Sequence, residues 1–244
     1  MSSLSNQTAL IVGVGGLGCP AALALARAGI GRLILADNDT VAESNLPRQV
    51  LFDEADIGRD KLDAAKEALA QESSSRVELF RGRLRPENAR ELIAEADIVI
   101  EGADNFPTKF LAADAAHLEK TPIVHGAAIQ WRGTAWLVEA QGQPCYRCVF
   151  EDILPADQSP NCNEAGVIGP LTGIVGAFMA DLALDALQGD LQRSGTIFSI
   201  DAQKMSVRPQ QMSPRLDCTL CGSTPQIHTV DYDRYVGPLC STAS

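Results

Sequence analysis

A short apolar run, Thr8–Val14, is closed by the turn Gly13-Val14-Gly15-Gly16-Leu17-Gly18. A brief aliphatic and β-branched run bounded by glycines predicts a buried strand rather than a helix. Pro20 follows where a first helical turn tolerates a missing N–H, and the Ala/Leu-rich stretch Ala21–Ala28 predicts a helix. Gly29 and Gly31 stop it, and Arg32–Ala36 returns as a strand ending at Asp37. Strand, glycine turn, helix and strand make one βαβ unit. The alternation continues. Lys61–Gln71 carries Leu62, Ala65 and Leu69 at helical spacing. Strands are predicted at Val77–Phe80, Asp97–Glu101 and Ile123–His125, and helices at Asn88–Ala94 and Thr108–Leu118. This rhythm implies a parallel sheet covered on both faces, with its functional crevice at the carboxyl ends of the strands.

Beyond about residue 125 the rhythm changes. Ala127–Glu139, with Trp131-Arg132-Gly133 inside it, predicts two antiparallel strands around a tight turn. Gln141–Gly166 has no clear periodicity, Gly169–Leu187 predicts a buried helix, and Thr196–Ile200 and Met205–Val207 predict the last strands. The expected class is α/β: a Rossmann-like, mostly parallel sheet continuing into a mixed, antiparallel half. The expectation is one domain over 1–244, with a nucleotide-binding half at about 8–125, a second half at about 126–222 and a tail at 223–244. No internal repeat or low-complexity linker divides it.

Composition narrows the function. Of 244 residues, 20 are Lys or Arg and 31 Asp or Glu, a formal net charge of −11. That balance argues against nucleic-acid and anionic-membrane partners, which want a basic face, but leaves room for a local cationic cluster. The longest apolar stretch, Ala165–Ala180, is broken by glycines and Pro170 and reads as too short to span a bilayer. Met1–Ala26 lacks the positive start of a secretion leader, and glycines interrupt its apolar run. With seven cysteines, four of them in Cys-x-x-Cys pairs, a cytoplasmic location is expected.

The candidate chemistry begins at the glycine turn. Gly13, Gly15, Gly16 and Gly18 allow backbone close to a nucleotide, and the helix N-terminus that follows favours its negative charge. Asp37, about twenty residues beyond Gly16 at a strand end, can hold ribose hydroxyls. This pattern alone does not separate NAD from ATP. Next come Asp39, a polar loop carrying Ser44, Asn45 and Arg48, and then Lys61 at a helix start. Two cations beyond a ribose-binding acid suit a triphosphate, whose leaving pyrophosphate accumulates charge; taken alone, a solvated Arg and Lys on a loop is the favoured reading. Asp104 follows a strand at the carboxyl end of the sheet. Its carboxylate suits Mg²⁺, which binds through one or two carboxylates plus substrate phosphates, although an Asx turn before Pro107 explains the same residue.

Taken together, Gly13–Gly18, the stretch Asp37-x-Asp39-x-Val41-x-x-Ser44-Asn45-Leu46-x-Arg48-Gln49, Lys61 and Asp104-Asn105 resemble the ThiF/MoeB family of sulfur-carrier adenylyltransferases. The resemblance runs from about Ala9 to Gly222. It implies an enzyme that uses Mg-ATP to adenylate the C-terminal glycine of a ubiquitin-like carrier ending in Gly-Gly. The activated carboxylate then accepts sulfur, for molybdopterin or thiamine synthesis. Gly16, Asp37, Asn45, Arg48 and Lys61 are implied ATP contacts, and Asp104 the metal-holding catalytic residue. A homodimer is implied as well. MoeB-like signals (His125–Ile129, Gly142–Cys145) sit beside ThiF-like ones (Pro20–Leu23, Ile168–Pro170), so the pathway stays open.

Cys145-x-x-Cys148 and Cys218-x-x-Cys221 supply four thiolates, enough for a closed, structural zinc site that staples the end of the chain to its middle. A redox dithiol or simple buried thiols are the other readings. Cys162, just before the Gly169 helix, has the setting of a thiol that can attack an activated acyl group, although an ordinary structural cysteine explains it as well; the family resemblance implicates it in a covalent link to the carrier in ThiF-like members and implies that it is dispensable in MoeB-like ones. Three features depart from the family pattern. The N-terminal arm that brings an arginine to a partner's ATP is absent, Lys109 stands where an arginine is common, and Pro47 precedes Arg48. No rhodanese extension follows Cys221, so sulfur is expected from a separate donor, a cysteine desulfurase or rhodanese. The rival functions are a nicotinamide-dependent oxidoreductase, against which Arg48, Lys61 and Asp104 argue, and a non-catalytic, zinc-stapled carrier-binding module.

Overall fold

In the computed structural model, which describes residues 3–140, 142–153 and 166–235, the described strands form one eight-stranded sheet in the order β3-β2-β1-β4-β5-β6-β7-β8. The strands are β1 Thr8–Val12, β2 Arg32–Asp37, β3 Arg76–Arg81, β4 Ile98–Glu101, β5 Ile123–Ile129, β6 Arg132–Val138, β7 Thr196–Asp201 and β8 Ser206–Gln211. The first five lie parallel, and β6, β7 and β8 continue antiparallel. The helices are α1 Gly18–Arg27, α2 Lys61–Glu72, α3 Pro86–Ala94, α4 Phe106–Glu119, α5 Tyr146–Val149, α6 Gly169–Leu187 and α7 Tyr232–Tyr235.

The central strands are apolar on both faces because both are covered. Ala9 and Ile11 of β1 pack in one core with Leu33, Leu35, Leu25 of α1, Leu69 of α2 and Val175 and Met179 of α6. Leu10 and Val12 face the opposite core, with Ile34, Val99, Ile93 of α3, Phe110 of α4, Trp136 and Tyr146. Each fully buried Leu, Ile, Val, Phe or Met side chain among them contributes roughly 1.5–3 kcal/mol by leaving water. Periodicity of two thus sorts a single strand into two cores.

Several boundaries differ from the sequence reading, each for a local reason. The first strand ends at Val12 because the turn begins at Gly13, and α1 starts at Gly18, ahead of Pro20. The strand expected to end at His125 runs on to Ile129, so the last parallel strand is also the first arm of the antiparallel hairpin. Its turn is Gln130-Trp131, with Gln130 in the left-handed region at φ 50°. A boundary near residue 125 therefore falls inside a strand. The last strand reaches Gln211, and the single turns α5 and α7 lie in stretches that offered no period.

The helix α6 is, at 19 residues, long and apolar enough to cross a bilayer by length and composition. In the structure it lies against α1, β4, β5 and β6, which accounts for that composition. Gly176 is a contact: a Cβ there would sit 2.4 Å from the Leu17 carbonyl oxygen, so only glycine lets α6 cross the start of α1 this closely.

Candidate functional site

Strand order reverses at β1, which has β2 on one side and β4 on the other, and the turns after β1 and β4 meet there. Such a switch point opens a crevice at the carboxyl ends of the strands. The crevice here is a cleft of about 620 Å³ lined by Gly13, Gly15 and Gly16 after β1, Asp37 and Asp39 after β2, and Gly102–Asp104 after β4. Asn45, Arg48, Lys61, Lys109, Ala127, Ala128 and Thr172 complete most of the wall.

Local chemistry holds each group. Asp37 accepts the Val14 N–H on Oδ2 at 2.7 Å and the Asn38 and Asp39 N–H groups on Oδ1 at 2.7 and 2.9 Å. Its carboxylate is thereby tied to the glycine turn, and lone pairs remain for hydroxyls in the cleft. Asn45 ends a single 3₁₀ turn, Glu43–Asn45, and accepts the Ala42 N–H at 3.2 Å. Arg48 donates to the Ser44 carbonyl at 2.6 Å, which aims its guanidinium along the loop. Lys61 opens α2 behind the N-cap Asp60, and its buried ammonium contacts Asp39 Oδ2 at 3.1 Å. Asp104 is exposed at the cleft rim.

Three expected nucleotide-site residues do not reach the wall among the described residues. A Cβ on Gly18 would lie 1.9 Å from the Gly13 carbonyl oxygen, so Gly18 serves close packing of α1 on the turn. Ser44 acts through its carbonyl on Arg48. Asn105 caps α4 by accepting the Thr108 N–H at 2.9 Å, with its Nδ2 3.4 Å from Asp104 Oδ1. Cys162 lies outside the described residues.

The structure adds groups that sequence reasoning missed. Thr172, near the start of α6, donates to the Gly169 carbonyl at 2.7 Å and faces Gly16. Gln49 is buried beside the turn, with Oε1 lacking a hydrogen-bond partner among the described residues. Glu101, the fully buried last residue of β4, joins Lys109 at 2.9 Å and His125 Nδ1 at 3.2 Å. Burial raises the proton affinity of the Glu101 carboxylate, but Lys109 and His125 more than offset it and hold the group below the usual carboxylate range. Burial pushes His125 down, so it stays neutral despite the carboxylate. An acid closing an otherwise apolar strand was the available signal for Glu101.

The four paired cysteines converge, all buried, with their sulfurs within 4.8 Å of one another. Individual separations are 3.9 Å for Cys145–Cys148, 3.5 Å for Cys145–Cys218 and 3.4 Å for Cys148–Cys221. Zinc–sulfur bonds of about 2.3 Å in a tetrahedron require sulfur–sulfur edges of about 3.8 Å, so the donor set fits such an ion. All four are free thiols, so each has a sulfur to offer such an ion. Hydrogen bonding from Cys145 draws Cys221 down to about 5, while burial pushes Cys148 up to about 11. Between the members of the first pair, Arg147 makes a bidentate contact with buried Asp114 at 2.8 and 2.9 Å. Tyr235 of α7 donates to the same carboxylate at 2.7 Å. The chain's late segment is thus fastened twice to the middle.

A cleft at the switch point of a mixed α/β sheet, together with a separate four-cysteine cluster, defines the class. The ThiF family profile matches residues 1–220, and the chain belongs to the ThiF family. It is 36% identical over 238 residues to the adenylyltransferase and sulfurtransferase MOCS3 of Anopheles gambiae, covering 96% of this chain and 54% of that protein. To the sulfur carrier protein adenylyltransferase of Thermus thermophilus it is 38% identical over 242 residues, covering 96% of this chain and 89% of that one. The chain spans about half the length of the MOCS3 relatives it matches. E. coli MccB, crystallised with MccA-N7isoASN, superposes with a TM-score of 0.80 at 23% identity, over 90% of this chain and 68% of MccB. At that identity the likeness is one of fold.

Proposed function

We propose that this chain is a nucleotidyltransferase that adenylates the C-terminal glycine of a ubiquitin-like sulfur carrier ending in Gly-Gly. It would use ATP and release pyrophosphate, and the acyl-adenylate would go on to a thiocarboxylate in molybdopterin or thiamine biosynthesis. The observation that carries the reading is the convergence of Arg48 and Lys61 with Asp104 on one cleft at the switch point. The named relatives, adenylyltransferases at 36–38% identity over nearly the whole chain, support it.

In this reading the nucleotide's ribose hydroxyls bond to Asp37, whose fixed orientation the glycine turn supplies. Asn45 and the backbone at Gly15 and Gly16 line the path of the phosphates. Lys61 exchanges its contact with Asp39 for phosphate oxygens, and Arg48 takes a second set. Asp104 would hold Mg²⁺, which supplies charge neutralisation to the triphosphate when bound. A carboxylate oxygen of the carrier attacks the α-phosphorus, that P–O bond forms, and the bond to the β-phosphate oxygen breaks. No side chain need act as a base, because the attacking carboxylate is already ionised. Catalysis is then positioning plus charge stabilisation.

The four cysteines would hold zinc as a closed, structural site. A homodimer, a separate cysteine desulfurase or rhodanese as sulfur donor, a cytoplasmic location and a covalent role for Cys162 complete the proposal. The test is carrier-dependent ATP–pyrophosphate exchange. Asp104→Ala is expected to lower it by about 100-fold or more, in the range seen when a group aimed at transition-state charge is removed. Unchanged exchange in that variant would remove Asp104 from the reaction.

A further inference from the structure

Lys109 is a third cation on the cleft wall, beside Arg48 and Lys61. It lies in the first turn of α4 and is 8% exposed. Its ammonium donates to Glu101 Oε2 at 2.9 Å and to the Gly126 carbonyl at 2.6 Å. An ammonium has three donors, and among the described residues the third meets no acceptor. The Glu101 carboxylate that anchors it also accepts the Ala103 N–H on Oε1 at 2.7 Å, one residue before Asp104. Glu101 therefore ties the Asp104 loop, the Lys109 ammonium and the middle of β5 at His125 together. A buried ion pair of this kind is weak evidence for stability, since apolar residues of similar volume often serve as well. Its use must be sought in what it presents to the cleft.

Placement and charge both point to a small anion. Arg48 and Lys61 approach from the β2 side of the cleft, whereas Lys109 stands on the β4–β5 side with Ala127 and Ala128. On that side Gly166 and Val167 are shared with a second groove lined by Gln130, Trp131 and Ile168. Backbone there already pairs in an extended fashion, Gln130 N–H to the Gly166 carbonyl at 2.8 Å and Ile168 N–H to the Gln130 carbonyl at 3.2 Å. Because Glu101 cancels the charge of Lys109, the pair offers one charge-assisted hydrogen bond rather than net positive charge. That suits a monovalent carboxylate better than a polyphosphate.

We propose that Lys109 receives the terminal carboxylate of the polypeptide tail, and that Glu101 is the positioning residue that holds its ammonium toward the cleft. The inference rests on the adenylation reading. The test is a binding cycle, measured by calorimetry with Mg²⁺ and a non-hydrolysable ATP analogue present. The probes are a ubiquitin-like sulfur carrier ending in Gly-Gly and the same carrier ending in a carboxamide. The amide is expected to bind wild type about tenfold or more weakly, the range of a lost charge-assisted bond, and to bind Lys109→Met within about twofold of the acid. Should Lys109→Met fail to fold around an unpaired Glu101, the double variant Glu101→Gln, Lys109→Met removes both charges and gives the same reading. Glu101→Leu, which removes the acceptor that holds the ammonium, is expected to shrink the amide penalty, and Glu101→Gln, which keeps an acceptor in the same place, to restore it. Equal amide penalties in wild type and the double variant would overturn the role of Lys109, and a full penalty in Glu101→Leu would remove that of Glu101. A wild type that binds no Gly-Gly carrier would overturn the adenylation reading and this inference with it.

Discussion

His125 sits in a buried aromatic setting, 4.5 Å from the Tyr146 ring centroid and 5.4 Å from that of Trp136, with Nε2 lacking a hydrogen-bond partner among the described residues. Burial lowers its pKa, Glu101 raises it and Lys109 lowers it further, and the first effect wins. His117 is also lowered by burial, and to a lesser energetic effect because solvent reaches it. An unfolded chain takes up a proton on each near its ordinary value of 6.5, while the folded chain does so only at lower pH. The unfolded state then binds more protons, so stability falls as pH drops below about 6.5, by at most about 1.4 kcal/mol per pH unit for His125. Glu101, held low in the folded state, adds its own loss only below the ordinary carboxylate range near 4.5. Urea unfolding between pH 7.5 and 5.5 is expected to show this slope, and His125→Asn to reduce it by up to one proton. An unchanged slope would mean that His125 titrates freely. This network was illegible in the sequence because its members, 24 positions apart at most, meet only when β4, α4 and β5 are assembled. Asp37 and Lys61 were legible, since each follows directly from a strand end or a helix start.

At the scale of elements, what could be read was what short-range patterning dictates. The βαβ alternation through the start of β5 emerged because β1, β2 and β4 are apolar runs closed by Gly13, Asp37 and Glu101, and the helices between them carry their own period. The continuation of β5 into the hairpin did not emerge. Gly126 and the alanines around it carry no β preference, and the strand is defined by pairing of Gly126 with Ala135 and Ile129 with Arg132. The single turns α5 and α7 are set by the cysteine cluster and the Asp114 contact, which are tertiary. Within the glycine turn, Gly18 separates two roles that the motif blends. Adding a methyl at 1.9 Å from the Gly13 carbonyl must displace either the turn or α1. Gly18→Ala is expected to lower stability by about 1–3 kcal/mol, as overpacking does. It is also expected to weaken ATP binding by about tenfold or more, although Gly18 does not line the cleft. Calorimetric titration with an ATP analogue beside a urea melt separates the two, and full ATP affinity in a destabilised variant would confine Gly18 to packing.

Over the whole molecule, two cores on either face of the sheet are built by β1–β6 with α1–α4 and α6, and the cysteines form a third, separate cluster with Leu220 and Ile227. The segment after β8 reaches the body through that cluster, through Gln143 Nε2 donating to the Cys221 carbonyl at 3.1 Å, and through Tyr235 on Asp114. If zinc occupies the four thiolates, chelation leaves them buried and crowded, and neutral thiols replace metal–sulfur bonds with weak hydrogen bonds. The two sheet-face cores lose nothing directly. Purified protein is therefore expected to contain about one zinc per chain, and its removal to lower the melting temperature by about 5–10 °C, the shift that two or three kcal/mol produces in a chain of this size. Hydrogen exchange should rise in residues 142–153 and 214–235 while β1, β2 and β4 stay protected, because stability lost at a local clasp is lost locally. Exchange rising equally across β1, β2 and β4 would make the metal a determinant of the entire fold, and a metal-free protein melting at the same temperature would show that polar contacts such as Tyr235 on Asp114, Gln143 on the Cys221 carbonyl and Arg215 on Glu151 hold the late segment without it.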